Sequence, residues 1–233
     1  MISSSVSLLR AGLAALALCA AAAYASPPER ITLTYQMIRN GSVLGEVVEI
    51  LEHDGRNYTI TSEMRGSGIL AIFGALKRTS RGRITPQGLR PDEFRDQRGS
   101  SWAVSAKFDW ETRSVTQERK GKSVTLKMPG TAHDPLSLAY SFAFVPPKNK
   151  EYDVTRADGR GLTSFRFTVV GNEKLATPAG EIPTLRVAKV PDGAEDKATD
   201  IWFAADRNFL PVRVLIVEKD GTRSDQIVTR IGD

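Results

Sequence analysis

Apolar and polar side chains alternate along most of this chain, and this period of two constrains its fold more than any other feature. In the clearest run, residues 102–110, every second side chain is apolar and shares one face of a strand. Turn pairs separate the runs, and the first of them, Asn40-Gly41, is the strongest short signal for a β-hairpin. About a dozen such strands, roughly 8 to 14 residues apart, predict an all-β barrel or a strongly curved antiparallel sheet.

Two segments break the alternation. At residues 134–144, Asp134 suits an N-cap and Pro135 suits the first helical position, so we predict a short helix that a proline pair at 146–147 ends. Residues 67–76 are apolar with glycines and predict a second short helix or a pliable loop over the end of the sheet. The predicted fold class is therefore mainly β, a strongly curved antiparallel sheet or half-barrel with one or two short helices.

The N-terminal segment has the pattern of a secretory signal. An alanine- and leucine-rich run over residues 11–23 leads to Ala23-Tyr24-Ala25, which offers small residues at the positions that signal peptidase reads. The run is shorter than the about 20 residues that a transmembrane helix needs, and no later segment comes close to that length. A retained membrane anchor is the alternative to a cleaved signal. We predict cleavage after Ala25, export to the periplasm and no transmembrane segment in the mature chain. Residues 26–233 are then expected to form a single β-rich domain, with two subregions joined near 145–150 as the alternative.

The only cysteine, Cys19, lies in this leader. A lipidated cysteine would begin the mature chain of a lipoprotein, but the residue before it is normally small and here it is Leu18. We therefore interpret Cys19 as part of the discarded leader and not as a lipidation site. Loss of the leader removes Arg10 and lowers the formal net charge from +5 to +4. A cysteine-free exported chain must be stable through its core alone.

The sequence offers few residues for catalysis or metal binding. Its two histidines, His53 and His133, lie in a polar turn and beside the predicted helix cap, without the spacing of a zinc site or of a Ser-His-Asp hydrolase. Acidic pairs occur in turn-like segments, which disfavours a glycosidase, and no phosphate-binding loop or long basic block is present. We predict a non-enzymatic protein without metal, cofactor or nucleic-acid partner, and keep an envelope hydrolase as a weak alternative.

Several short segments, taken in order, resemble a bacterial envelope family. They are Asn40-Gly41, Gly88–Pro91, Asp134–Tyr140, Thr177–Thr184, Ile201–Asp206 and Leu210–Arg213. Together they resemble the domain-of-unknown-function family numbered 3108 over nearly the whole mature chain. This resemblance implies an exported envelope protein of no established activity. By fold analogy, the strand-rich architecture resembles the half-barrel carriers that shuttle lipoproteins across the periplasm.

Binding is the function that remains. A large curved sheet can enclose a cavity, so we expect an apolar or amphipathic ligand, a lipid or a lipid-linked molecule, on its concave side. The candidate ligand contacts are Ile69, Leu70, Phe73, Trp102, Phe108, Trp110, Tyr140 and Phe144. The alternative for each of these side chains is a place in an ordinary core.

Residues 77–98 are basic and polar, with interspersed glycine and proline. Arg78, Arg81 and Arg83 are candidates for a basic face that meets anionic lipid head groups or an acidic partner, and a solvated surface is the alternative. The second functional hypothesis is an interaction or scaffold module that pairs with another envelope protein through this face or through an exposed edge strand.

Overall fold

The alternating segments form one fifteen-stranded sheet within the part of the chain that the structure describes. The computed structural model describes residues 26–68, 74–99, 101–193 and 196–232, with residues 101–103 described by their backbone alone. The strands are β1 (Arg30–Arg39), β2 (Ser42–His53), β3 (Asn57–Gly66), β4 (Leu76–Thr85), β5 (Gly88–Arg98), β6 (Ser101–Asp109), β7 (Ser114–Arg119), β8 (Lys122–Lys127), β9 (Ala132–His133), β10 (Glu151–Ala157), β11 (Leu162–Thr177), β12 (Gly180–Lys189), β13 (Ala198–Ala204), β14 (Leu210–Val217) and β15 (Arg223–Gly232).

Two antiparallel meanders make up this sheet. The first runs from β1 to β8 and the second from β10 to β15, and each strand in them pairs with its neighbour in sequence. Strand β1 joins the two by pairing with β15, and the two-residue β9 adds to β10 in parallel. The sheet remains open, with β8 and β9 as its edges, which confirms the predicted curved and mainly β fold class.

The predicted β1–β2 hairpin shows how local chemistry sets the register. Arg39 pairs with Ser42, so Asn40 and Gly41 form a two-residue turn, with φ of 47° and 82° respectively. A turn with two positive φ angles matches the twist of the flanking strands, and asparagine and glycine are the residues that adopt it most readily. The Asn-Gly pair therefore places β2 directly beside β1.

The predicted helix is confirmed at the expected position. Helix α1 spans Pro135–Tyr140, and a 3₁₀ turn over Ser141–Ala143 continues it. The Asp134 side chain accepts hydrogen bonds from the backbone N–H groups of Leu136 and Ser137, and Ser137 Oγ accepts one from the Asp134 N–H in return. This capping box satisfies N–H groups that the first turn would otherwise leave unpaired.

Helix α1 lies on the inner side of the curved sheet, where it contacts β4, β5, β9, β10 and β14. No helix in the described ranges has the length and apolar character to cross a bilayer. The second predicted helix, near residues 67–76, falls mainly on residues 69–73, which lie outside the described residues; β4 begins at Leu76.

The two faces of α1 contact two different apolar clusters. Leu136 and Tyr140 belong to the main core, which packs mostly on the N-terminal meander, and the largest fully buried side chains there are Tyr35, Tyr140, Phe94, Leu33, Leu51 and Ile60. Leu138 and Phe142 of the helical segment contact a smaller cluster formed by Phe167, Val187, Ile201 and Phe203 of the C-terminal meander. The core is therefore thick on one side of α1 and thin on the other.

The two ends of the sheet meet through the turn between β10 and β11, residues 158–161. Gly161 donates its backbone N–H to Gln117 Oε1 of β7 over 2.9 Å, and Arg160 Nη2 lies 3.5 Å from Asp96 Oδ2 of β5. Gly159 has φ of 81°, and a Cβ there would lie 2.6 Å from Val104 Cβ of β6. Only glycine fits this contact, so the turn holds the curved sheet together where strand pairing does not close it.

Candidate ligand cavity

A cavity of about 530 Å³ lies between α1 and the C-terminal meander, and we call it the main cavity. Its volume falls within the range of small-molecule sites. The apolar side chains that line it are Tyr35, Met37, Pro135, Leu136, Leu138, Ala139, Phe165, Phe167, Ile201, Pro211, Val214 and Ile216. The thin core on this side of α1 therefore leaves space where the opposite side is filled with side chains.

A second cavity of about 350 Å³ adjoins the first, and we call it the distal cavity. Both cavities are lined by Leu138, Phe167 and Ile201, so they lie on either side of the same apolar contact. The other apolar side chains around the distal cavity are Phe142, Val145, Pro146, Tyr152, Val154, Val187 and Phe203. The two cavities therefore form a nearly continuous apolar path under α1, which Leu138 partly divides.

A buried carboxyl group, Glu49, lines the inner end of the main cavity and is 6% exposed. It accepts hydrogen bonds from Tyr140 OH over 2.9 Å and from Ser62 Oγ over 3.0 Å, and Gln226 Nε2 lies 3.3 Å away. Glu49 and Ser62 are direct cross-strand partners on β2 and β3, which explains the short contact between them. Burial raises the pKa of Glu49, although these three hydrogen bonds act in the opposite direction.

Basic side chains outnumber acidic ones in the main cavity. Its basic residues are Arg78, Arg156, Lys189 and Lys197, and its acidic residues are Glu49 and Asp196. Lys189 Nζ binds both oxygens of Asp196, with 2.6 Å to Oδ2, and this bond lowers the pKa of Asp196. Lys189 Nζ and the Arg156 guanidinium also lie 5.6 Å and 5.5 Å from the centre of the Phe165 ring. The cavity therefore combines an apolar wall with a cationic side.

A chain of alternating charges connects Arg78 with Arg156 across the two ends of the sheet. Asp96 Oδ2 lies 3.7 Å from Arg78 Nε and 3.5 Å from Arg160 Nη2. Asp158 Oδ2 lies 3.9 Å from Arg160 Nη1 and 3.6 Å from Arg156 Nη2. Three arginines thus share two aspartates, and all four distances exceed those of good charge-assisted hydrogen bonds.

Four of the predicted ligand contacts lie in or against the main core and are not among the side chains that line either cavity. Tyr140 is 0% exposed and donates to Glu49, and Phe108 stacks on Trp110 with ring centres 6.0 Å apart. Trp110 Nε1 donates to Pro91 O over 2.7 Å, and Phe144 contacts the His53 ring edge-on. For these four residues the structure shows core packing, and their contact with a ligand stays a prediction.

The other four predicted contacts have no described side chain. Ile69, Leu70 and Phe73 lie outside the described residues, and Trp102 lies in β6 with only its backbone described. Their role in binding also stays a prediction.

The three predicted basic-face residues lie on opposite faces of β4 because side chains alternate along a strand. Arg78 points toward the concave side and lines the main cavity. Arg81 and Arg83 are exposed on the other face, where Arg83 Nε lies 3.6 Å from Asp92 Oδ2. Only Arg78 is therefore placed to meet a molecule inside the sheet.

Most of the cavity-lining residues carry no local signal of their role in the sequence. Phe165 and Phe167 share a strand face, and this alternation is visible in the sequence, but it does not tell which face turns inward. Glu49 and Arg156 looked like ordinary strand or loop charges. One feature of the sequence does mark Glu49. It is a charged residue on the strand face that also carries Val47 and Leu51, two positions away on either side, and both of these are buried.

The histidines lie apart from any catalytic arrangement in the described residues. His133 is largely buried beside the distal cavity, and burial lowers its pKa to about 4. His53 Nε2 lies 3.0 Å from Pro27 O at the start of the described chain. Across the described ranges, no group of three His, Cys, Asp or Glu side chains is placed to hold a metal ion.

A family model described as "Protein of unknown function (DUF3108)" matches residues 30–227. No curated protein matches the sequence. In fold, the chain is similar to a β-barrel-like protein of the domain of unknown function DUF1849 from Brucella abortus, with 10% identity, a TM-score of 0.56, and coverage of 87% of this chain and 96% of that one.

Two further solved structures are more distant. One is a protein described as exported, with a YmcC-like fold, from Bacteroides fragilis, at 9% identity, a TM-score of 0.38, and coverage of 88% of this chain and 96% of that one. The other is described as a lipoprotein from Parabacteroides distasonis, at 10% identity, a TM-score of 0.42, and coverage of 90% of this chain and 98% of that one.

Proposed function

Because this chain belongs to the DUF3108 family of unknown function, its activity has to be inferred from its geometry, and we propose that it is a non-enzymatic protein that binds an amphipathic ligand, a lipid or a lipid-linked molecule, under α1. The observation that carries the proposal is the apolar path through cavities of about 530 Å³ and 350 Å³. Apolar walls of this extent favour an apolar chain over a polar metabolite, because burial of apolar surface is the main favourable contribution they can make.

We also propose that the protein acts in the periplasm as a mature chain of residues 26–233. The support for this location is the secretory pattern before Ser26, with small residues at Ala23 and Ala25. A periplasmic protein that binds lipid would shield an apolar chain from water between membranes.

The alternative, a scaffold module that binds an envelope protein through an edge strand, has weaker support. Strand β8 pairs only with β7 and is mostly exposed, so it is available for pairing. Lys122 and Lys127 stand at its two ends, however, and lysines on an edge strand are a common device against strand addition.

A fluorescence titration tests the proposed function. The full-length chain is expressed in a Gram-negative host, purified from the periplasmic fraction, and titrated with N-phenyl-1-naphthylamine, a neutral apolar dye that brightens when it leaves water. We expect saturable binding to the unmodified protein. In Val214→Trp, where a large ring enters the main cavity, we expect at least about a tenfold loss of affinity.

The matched control is Val124→Trp, which makes the same change at a side chain that is 55% exposed on β8. It should bind the dye like the unmodified protein. Urea unfolding of both variants establishes that they are folded. The proposal fails if the unmodified protein does not bind the dye, or if Val214→Trp and Val124→Trp bind it equally well.

A further inference from the structure

The charges that line the main cavity are not balanced. Of its two acidic groups, Asp196 is bound through both oxygens by Lys189, and Glu49 receives its hydrogen bonds from Tyr140, Ser62 and Gln226, which are all neutral. Neither acid therefore makes a hydrogen bond to the cavity arginines. Four basic groups against two acidic ones leave a net positive charge along the cavity wall, on which the Arg78 and Arg156 side chains are 39% and 28% exposed.

Arg78 and Arg156 have donor capacity left over. The Nε atom of each is buried and has no hydrogen-bond partner among the described residues. Their nearest carboxylate contacts, to Asp96 and Asp158, are 3.7 Å and 3.6 Å long and are shared with Arg160. Buried donors are nearly always paired in native proteins, so these two guanidinium groups are poised for an additional acceptor.

The cationic groups also adjoin the apolar wall. The Arg156 guanidinium lies 5.5 Å from the centre of the Phe165 ring, and Phe165 lines the same cavity as Leu138, the residue that leads on to the distal cavity. A molecule whose apolar part lies against Phe165 and Leu138 would therefore have the Arg156 guanidinium beside it, and Arg78 lines the same cavity.

We propose that the ligand is an amphiphile with an anionic head group, a carboxylate or a phosphate, and that Arg78 and Arg156 bind this head group. The inference rests on the proposed function and adds the ligand class to it. Arginine suits the role because its planar fork of donors matches two oxygens of a carboxylate or phosphate at once. Lys189 is occupied by both oxygens of Asp196. Lys197 Nζ, with Glu218 Oε1 4.0 Å away, can add a point charge to the head group but lacks the planar fork of an arginine.

Displacement of bound N-phenyl-1-naphthylamine tests the head group. Three competitors with the same twelve-carbon chain are compared, namely laurate, dodecyl phosphate and dodecanol, with inorganic phosphate as the fourth. The two anionic amphiphiles are kept below their micelle concentrations and dodecanol below its solubility limit. For the unmodified protein we expect both anionic amphiphiles to displace the dye at concentrations at least about tenfold lower than dodecanol. Inorganic phosphate should neither displace the dye nor bind in calorimetry with comparable affinity.

In the double variant Arg78→Gln/Arg156→Gln, the ratio of the dodecanol and laurate concentrations that displace the dye should fall from at least about ten toward one. The matched control, Arg81→Gln/Arg83→Gln, removes the same charge from the opposite face of β4 and should keep the preference. If the first double variant does not fold, the unmodified protein is titrated at rising NaCl concentration, which should weaken laurate binding and leave dodecanol binding unchanged.

The outcomes separate the two proposals. If the dye and dodecanol do not bind at all, the proposed function fails. If the dye binds and all three amphiphiles displace it equally, the anionic head group is refuted and the proposed function stands. If both double variants keep the preference for anions, the assignment of the head group to Arg78 and Arg156 is refuted. If inorganic phosphate binds as tightly as dodecyl phosphate, the arginines hold a free anion and the amphiphile proposal is overturned.

Discussion

Removal of the Glu49 carboxyl group is expected to destabilise the protein strongly, because this glutamate is buried whereas Glu46 on the same strand is exposed. Glu49 is 6% exposed, and Tyr140, which is 0% exposed, donates its hydroxyl to it. In Glu49→Ala, that hydroxyl loses its acceptor, which costs about 1–3 kcal/mol for a buried polar group. The lost packing and the bonds from Ser62 and Gln226 add to this, so we expect a total of about 2–4 kcal/mol.

Urea unfolding followed by tryptophan fluorescence measures this loss. For a chain of this size, about 2–4 kcal/mol corresponds to a decrease in Tm of roughly 4–16 °C. The matched control is Glu46→Ala, three positions earlier on β2, where the side chain is exposed and the expected change is below about 0.5 kcal/mol. Equal and small losses in the two variants would refute the argument that Glu49 organises the inner end of the cavity.

The Glu49 carboxyl group should also make stability depend on pH. Burial raises its folded-state pKa above the ordinary value of 4.5. Its contribution to stability is therefore complete below that value and is lost as pH rises through the folded-state pKa. Glu49→Gln cannot ionise, so from about pH 4.5 upward its stability should fall less with pH than that of the unmodified protein. Parallel pH profiles for the two proteins would contradict the assignment of a raised pKa to this residue.

Two further substitutions test contacts that hold α1 and the ends of the sheet. Asp134→Ala removes the acceptor for the Leu136 and Ser137 N–H groups and for Ser80 Oγ at 2.6 Å, so urea unfolding should show that the free energy of unfolding falls by about 2–4 kcal/mol. Asp134→Asn should recover part of this loss. Equal losses in Asp134→Ala and Asp134→Asn would argue against capping. Gly159→Ala places a Cβ 2.6 Å from Val104 Cβ, so it should lower the free energy of unfolding by about 1–3 kcal/mol more than Gly221→Ala does. Gly221 is the matched control because its φ of 80° is close to the 81° of Gly159 and its surroundings are open. Equal losses in the two glycine variants would show that the turn does not depend on this contact.

The sequence predicts those turns and helices whose conformation depends on residues next to one another in the chain. The Asn40-Gly41 turn and the helix at Asp134-Pro135 depend on residues next to one another in the chain, and both are confirmed. Strands β4 and β5 were not predicted, because the inward positions of β4 carry Arg78 and Ser80 instead of large apolar residues. Ser80 is polar there because it donates to Asp134 at the cap of α1, a partner 54 positions away.

The location of the cavity depends on contacts that no local pattern encodes. Alternation predicts that Phe165 and Phe167 share a face, and it predicts the same of Phe108 and Trp110. The difference between the two pairs arises from α1, which directs Tyr140 into the filled core and Leu138 toward the open side. Because the position of α1 is set by contacts with four strands of the two meanders and with β9, the choice between core and cavity is a property of the whole fold.

The pairing of β1 with β15 has a consequence for how the chain reaches its native state. Thr32 lies opposite Gly232, so the central ladder of the sheet joins the first strand to the last one. Contacts between residues so far apart in sequence raise the contact order, and proteins with high contact order fold slowly. Until β15 arrives, one side of β1 is an unpaired edge at the middle of the future sheet, where it can pair with other chains. The nascent protein is therefore expected to be most exposed to aggregation during this interval.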